Sequence, residues 1–381
     1  MKCLVAIFAI MTIAYLARHL LTVLRGEQHL FGDFFAFWSY AKFLLARPPD
    51  QIYDVTTLLA FEQTIPGGNP NEYYPCIYPP TALFLILPLG WLPYLPAALL
   101  WLGSTLIGYL VAVAGRDWRS PGFWLALLAP STMLTIVAGQ NGFLTAALLI
   151  GGFRLIGRKP LLGGFILGLL TFKPQFFVLV PVALLAMRNW RAIIGLAVSV
   201  LALVAASCVA FGPIIWLRWL QAGPAIWPML QANWASLKHL EPTVTEALLT
   251  AGLDVGTAQA LQLAAALGAV ACIWVLFRPG AKLQTTPRPL SVAALQVTAF
   301  FATPYAFVYD LPMVTSAAAT TIDCATQAGR PWRPGETTVL ALALLLPVIL
   351  FSGLFDGWAV GPITMALLVA LILRIEASLN R

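Results

Sequence analysis

The chain has 381 residues, of which 60% are hydrophobic and only 10% charged, with a net charge of +7 and a mean hydropathy of +0.86. Soluble globular chains carry roughly a quarter charged residues. So few charges cannot cover a water-facing surface of this size, which excludes a soluble enzyme, a disordered regulator and a disulfide-stapled secreted domain. The chain reads as an all-α, multi-spanning integral membrane protein. Its basic residues sit singly or in pairs between apolar stretches, as positive-inside topology places them, and form no run suited to nucleic acid. Cys3, Cys76, Cys208, Cys272 and Cys324 are scattered without a C-x-x-C pair and argue for neither a metal site nor a disulfide framework. No metal and no cofactor are expected.

In chain order, Lys2 and the run Cys3–Ala17 have the outline of a signal peptide, but no small-residue cleavage site precedes Arg18-His19. The run 3–21 is therefore read as an uncleaved first span. Next comes an aromatic stretch, Phe34–Leu45, whose composition suits a helix lying on the membrane surface. Pro79–Pro93 is apolar but short and broken by Pro88 and Pro93, and reads as re-entrant or interfacial. Spans follow near 95–115, 122–138, 142–157, 160–173, 174–188, 190–212, 257–278, 290–303, 307–326, 337–353 and 358–375. That makes about twelve crossings in a single membrane domain, 1–381, with no convincing internal repeat.

Charge sets the sidedness. With both termini cytoplasmic, the inner gaps collect Arg116, Arg119, Arg154, Arg158, Lys159, Arg188, Arg191, Arg278, Lys282, Arg288, Arg330 and Arg333. Two long outer loops, about 25–94 and 213–256, hold Glu27, Asp33, Asp50, Asp54, Glu62, Glu72, Glu241, Glu246 and Asp254.

Polar groups at membrane depth are expensive, which makes them functional candidates. In this topology they gather on the outer side: Arg18-His19, Gly32-Asp33, Tyr74 to Pro80, Gly139-Gln140-Asn141, Lys173-Pro174-Gln175, and Thr303-Pro304-Tyr305 through Tyr309-Asp310. Each also has a plainer reading. Asp33 and Asp310 could be helix N-caps, Gly139-Gln140-Asn141 a tight turn, Lys173 a snorkelling cation, and Arg18 and His19 interface anchors. Together they place a carboxylate, cations, amides and phenols where a transfer reaction on a lipid-phosphate substrate would need them. No Walker-type phosphate loop, H-E-x-x-H or G-x-S-x-G occurs, which argues against nucleotide hydrolysis, a membrane protease and a lipase.

Taken in order, Gly32-Asp33-Phe34 with its aromatic helix, Tyr53-Asp54, Tyr78-Pro79-Pro80, Gly139-Gln140-Asn141, Lys173-Pro174-Gln175 and Pro304-Tyr305 with Tyr309-Asp310 resemble glycosyltransferase family 87. This bacterial group of the GT-C fold is similar to polyprenol-phosphate-mannose-dependent α-1,2-mannosyltransferases. The likeness runs from the first span to about residue 312. It implies a GT-C-type bundle in the bacterial plasma membrane, with an extracytoplasmic interfacial helix and an active site on that side. The partners it implies are a polyprenyl-phosphate sugar donor, a glycan or lipid acceptor, and membrane lipids. The reaction would move a hexose, mannose by the likeness, to an acceptor hydroxyl with inversion.

Residue by residue, Asp33 matches the family's catalytic base, while Lys173, Gln140 and Tyr78 fall where the donor phosphate or sugar is expected. Arg18 and His19 join them as candidate donor-binding residues. Asp54, Asn141, Gln175, Tyr305 and Asp310 are candidate structural or binding positions. The family's mycobacterial members have longer loops, so their acceptor is not carried over. A transporter or flippase of lipid-linked sugars is the rival reading, but it would need polar residues through the whole membrane depth, and the cytoplasmic halves are nearly bare. A structural assembly subunit with degenerate site residues is a third.

Overall fold

A computed structural model describes residues 10, 17, 21, 30–66, 74–115, 117–234, 240–278, 286–353 and 358–379. Most of the expected first span lies outside the described residues, as do Arg116, Lys282, Glu27 and Glu72. The fold is all-helical, with no strand among the described residues. The first long loop of the sequence reading folds into α1 (Phe34–Ala46), a 3-10 turn (Pro49–Tyr53), α2 (Val55–Glu62) and the broken helix α3 (Pro80–Trp91). The bundle follows with α4 (Tyr94–Ala114), α5 (Pro121–Leu128), α6 (Pro130–Ala138), α7 (Gly142–Ile156), α8 (Pro160–Phe172), α9 (Pro174–Ala186) and α10 (Trp190–Phe211). The second long loop supplies α11 (Ile214–Trp234) and α12 (Val244–Thr250). After it come α13 (Val255–Phe277), α14 (Pro289–Ala302), α15 (Pro312–Gln327), α16 (Glu336–Phe351) and α17 (Val360–Leu379).

Local chemistry fixes many of these boundaries. The Ser120 hydroxyl accepts the Phe123 N–H at 3.2 Å and Pro121 fills the first turn of α5. Asn189 and Asp254 cap α10 and α13 in the same way, accepting from Ala192 and Thr257. Gly115 and Gly139, at φ +64° and +70°, end α4 and α6.

The crossing count differs from the sequence expectation. Among the described residues four helices, α4, α10, α13 and α17, are long and apolar enough to span, and a fifth span forms if α5 and α6, bent by 41°, are joined. Other apolar helices run only 10–17 residues, while a straight span needs about 20.

Glycine contacts explain one such shortfall. A Cβ added at Gly164 would lie 1.9 Å from the Ala192 carbonyl oxygen, one at Gly195 2.0 Å from that of Leu161, and one at Gly168 2.6 Å from Ser199 Cβ. This small-residue seam lets α8 and α10 touch backbone to backbone. From Gly164, which meets Ala192, to Gly168, which meets Leu196 and Ser199, the contacts advance along both chains, so the two helices run parallel. By contrast, Gly163 meets Gly152 and Ile156, and Gly152 meets Leu167, so α7 runs antiparallel to α8. Because α8 and α10 start at the same end, α9 must run back toward it. The segments 160–173 and 174–188, expected as two crossings, thus form an antiparallel hairpin with Lys173-Pro174 at its apex, each helical arm shorter than a straight span. From this register the apex stops about 12 Å short of the far end of α10. Backbone broken at that depth is tolerated because protein buries it.

Two apolar cores result. One fills the bundle; the other is built by α1, α2, α3, the start of α4 and part of α11. Here a second expectation is corrected: α1 does not lie on a membrane surface. It is buried nearly all round, with Phe34, Ala41 and Phe43 fully enclosed. Its polar tips find protein partners, Trp38 Nε1 donating to the Leu92 carbonyl at 3.0 Å and the Tyr40 hydroxyl lying 3.0 Å from the Tyr74 and Pro75 carbonyls. The second loop reaches the same core through Ile215, Ala222 and Ile226, and Trp219 Nε1 donates to the Ile77 carbonyl at 3.1 Å. Tyr78, Leu85, Ile136 and Leu144 pack against both cores and mark the seam.

Candidate active site at the seam of the two cores

Three breaks in the bundle meet the α1–α3 segment at this seam: the 139–141 turn between α6 and α7, the Lys173 apex, and the 303–311 connection between α14 and α15. Two glycines set the fit. A Cβ on Gly139 would fall 2.4 Å from Phe34 Cβ, and one on Gly142 1.8 Å from the Tyr309 carbonyl oxygen. Gln140 and Asn141 are therefore held between the start of α1 and the Tyr309-Asp310 turn.

Asp33 precedes α1 with φ −68° and ψ −6°, and its side chain makes no capping bond. The N-cap reading is corrected: the residue is already in a helical conformation, and its Oδ2 instead accepts from Gln140 Nε2 at 2.9 Å. Asn141 links two further site residues. Its Nδ2 donates to the Tyr78 hydroxyl at 2.9 Å, and its Oδ1 accepts from Lys173 Nζ at 2.8 Å. That pairing fixes the orientation of the Asn141 amide.

Lys173 differs most from its expectation. It is 4% exposed, ion-paired with the 1% exposed Asp310, and flanked by the rings of Phe176 and Tyr309 at 5.4 and 5.3 Å. It is neither a snorkelling cation nor an open one. The physical reason is depth: an apex inside protein leaves an ammonium no route to water, so a buried carboxylate matches it. Asp310 is accordingly not the N-cap of α15. Its second oxygen accepts the Phe307 N–H at 3.3 Å.

Tyr305 lies within electrostatic reach of Asp33, Asp310 and Glu241. Its backbone is pinned by Thr303, whose hydroxyl donates to the Tyr305 carbonyl and accepts its N–H. Glu241 is 5% exposed and counts in the sequence only as one more outer-loop acid. No motif marked it, since residues 241 and 305 meet only through the fold.

The structure does not draw Asp54 or Gln175 into this network. Asp54 is an exposed cap of α2, accepting from the Thr57 N–H and Thr56 hydroxyl at 2.8 Å, and these bonds hold its carboxyl below the usual range. Gln175 is half-buried at the start of α9, without a side-chain hydrogen bond among the described residues. Arg18 and His19 lie outside the described residues. Among the described residues no three His, Cys, Asp or Glu side chains gather as metal ligands would.

An all-helical, largely apolar chain with a polar seam of carboxylates, amides and phenols has the character of a membrane transferase. A family model described as glycosyltransferase family 87 matches residues 77–304, more than half of the chain, and the protein belongs to that family. It is a membrane glycosyltransferase that acts on a sugar donor and an acceptor. No curated protein and no solved structure matches the chain.

Proposed function

We propose that the protein transfers a hexose, mannose by the resemblance, from a polyprenyl-phosphate donor to a hydroxyl of a lipid or glycan acceptor. The reaction inverts the anomeric centre and takes place on the extracytoplasmic side of a bacterial plasma membrane. The observation that carries this reading is the convergence at one seam of two carboxylates, Asp310 paired with the buried Lys173 and Asp33 held by the Gln140 amide at the start of α1, with the Asn141–Tyr78 pair between them. Asp33, at the position where the family resemblance implies the base, is the proton acceptor in this reading. It takes the acceptor's hydroxyl proton as that oxygen attacks the anomeric carbon, and the bond to the lipid phosphate breaks with its electron pair on phosphate.

Tyr78 suits a place beside the phosphate. Its oxygen already accepts from Asn141, which leaves the phenolic hydrogen to donate to a phosphate oxygen. Lys173 and Asp310 hold Asn141, and through it Tyr78, in that orientation. With Lys173 matched by Asp310, the cations proposed for the leaving phosphate are Arg18 and His19. Arg154, Arg158, Lys159, Arg188 and Arg191 lie toward the opposite end of α7–α10 from the seam, which supports an extracytoplasmic site.

The test uses purified protein in detergent, radiolabelled hexosyl polyprenyl phosphate and membrane lipids extracted from deletion cells. Wild type forms labelled product without any vesicle, as a transporter would not. Asp33→Asn is expected to keep its fold, because an amide oxygen of the same shape can still accept from Gln140, and to lose transfer. Near-normal turnover by that variant refutes Asp33 as base.

A further inference from the structure

Gln140 is 7% exposed, and its two amide atoms are not equally satisfied. Nε2 donates to Asp33 Oδ2 at 2.9 Å, while Oε1 is buried with no hydrogen-bond partner. Turning the amide over would set Oε1 against the Asp33 carboxylate, acceptor against acceptor, so Asp33 fixes its orientation. Nor can the residue swing away. The Gln140 N–H donates to the Thr135 carbonyl at 3.2 Å, Gly139 abuts Phe34, and the neighbouring Asn141 is held by Tyr78 and Lys173. A buried acceptor left unmet is costly and uncommon in native proteins.

Such an atom can be satisfied by a hydroxyl but not by a phosphate oxygen, which has no hydrogen to give. Oε1 is therefore not the atom through which Gln140 would meet a phosphate. Both acceptors sit on one rigid frame, since the amide that holds Asp33 also presents Oε1. Within a single amide the two polar atoms lie close together, so a ligand reaching the carboxylate with one hydroxyl reaches Oε1 with a neighbouring one.

We propose that Gln140 positions Asp33 through Nε2 and selects the acceptor through Oε1, which takes a second hydroxyl beside the attacking one. The acceptor is thus a polyol, a sugar or a sugar-bearing lipid, that presents adjacent free hydroxyls. This rests on the reading of Asp33 as the base. Gln140 is a positioning residue toward Asp33 and a binding residue toward the acceptor.

The experiment uses the full chain in detergent, hexosyl polyprenyl phosphate and the deletion-cell lipid extract, with Gln140→Met as a variant of similar volume. Wild-type transfer is measured first, so a failure of the proposed function shows there and separately. With wild type active, Gln140→Met is expected to raise the apparent acceptor KM about tenfold. The donor KM stays unchanged, and the acid limb of the kcat/KM–pH profile moves upward as Asp33 loses its donor. Gln140→Glu restores a polar oxygen but sets a like charge beside Asp33, and is expected to lose more rate than the Met variant. Unequal melting temperatures would not mimic this split, because misfolding lowers the active fraction without moving one KM or the pH limb. A rise in donor KM alone, or an acceptor KM and pH profile both unchanged, overturns the proposal.

Discussion

The buried Lys173–Asp310 pair offers a direct test of the seam. Both side chains are almost completely enclosed, so removing one partner leaves the other charge without compensation. Lys173→Met strands the Asp310 carboxylate and also removes the donor to Asn141 Oδ1. Asp310→Asn strands the ammonium but keeps an acceptor for the Phe307 N–H. Each single replacement is expected to cost about 3–5 kcal/mol. The double variant removes both charges, and the amide introduced at 310 can donate toward Asn141 Oδ1. Its cost should fall short of the sum of the singles by at least about 2 kcal/mol. Unfolding by SDS titration, followed through the thirteen tryptophans, measures all four corners of the cycle. Were Lys173 an open phosphate-binding cation, Lys173→Met would unfold like wild type and lose only donor affinity. Single variants within about 0.5 kcal/mol of wild type, or costs that add to within that margin, refute the pairing argument.

Gly142→Ala would set a methyl 1.8 Å from the Tyr309 carbonyl oxygen; overpacking of this kind costs about 1–3 kcal/mol, read by the same titration, and an unchanged midpoint would mean that the turn is not wedged as described. Burial lifts the Glu62 carboxyl to about 7 from 4.5, against hydrogen bonds from Ser39 and the Tyr74 N–H. Between these values the folded chain holds a proton that the unfolded chain has released, so stability falls as pH rises through this window, by up to about 3 kcal/mol. Melting curves at pH 5 and 8 should show that loss in wild type and not in Glu62→Gln; parallel curves for the two would dismiss it. Fusions of periplasmic alkaline phosphatase ending near Glu62 and Trp234 should be active, whereas cytoplasmic signals from both would reverse the proposed sidedness.

Helix boundaries were largely legible in the chain itself. The runs 95–115 and 190–212 became α4 (Tyr94–Ala114) and α10 (Trp190–Phe211), and 142–157 became α7 (Gly142–Ile156). Apolar length and the Pro, Gly and Ser residues that cap or break a helix are local properties, and they act on whichever few residues surround them. The family was legible for a related reason: six short motifs keep their order in the chain whatever their spatial arrangement.

Partnership and depth were decided only by the tertiary structure. How far the 160–188 hairpin reaches along the bundle is set by the glycine seam between α8 and α10, whose members are more than twenty residues apart. An aromatic helix with hydrogen-bonding tips reads the same whether lipid or protein covers it, and here α3, α4 and α11 supply the cover for α1. Lys173 looks free until residue 310, 137 positions away, arrives beside it. A sequence states which groups need partners, while the energy of burying a charge is settled by which chain segments meet around it.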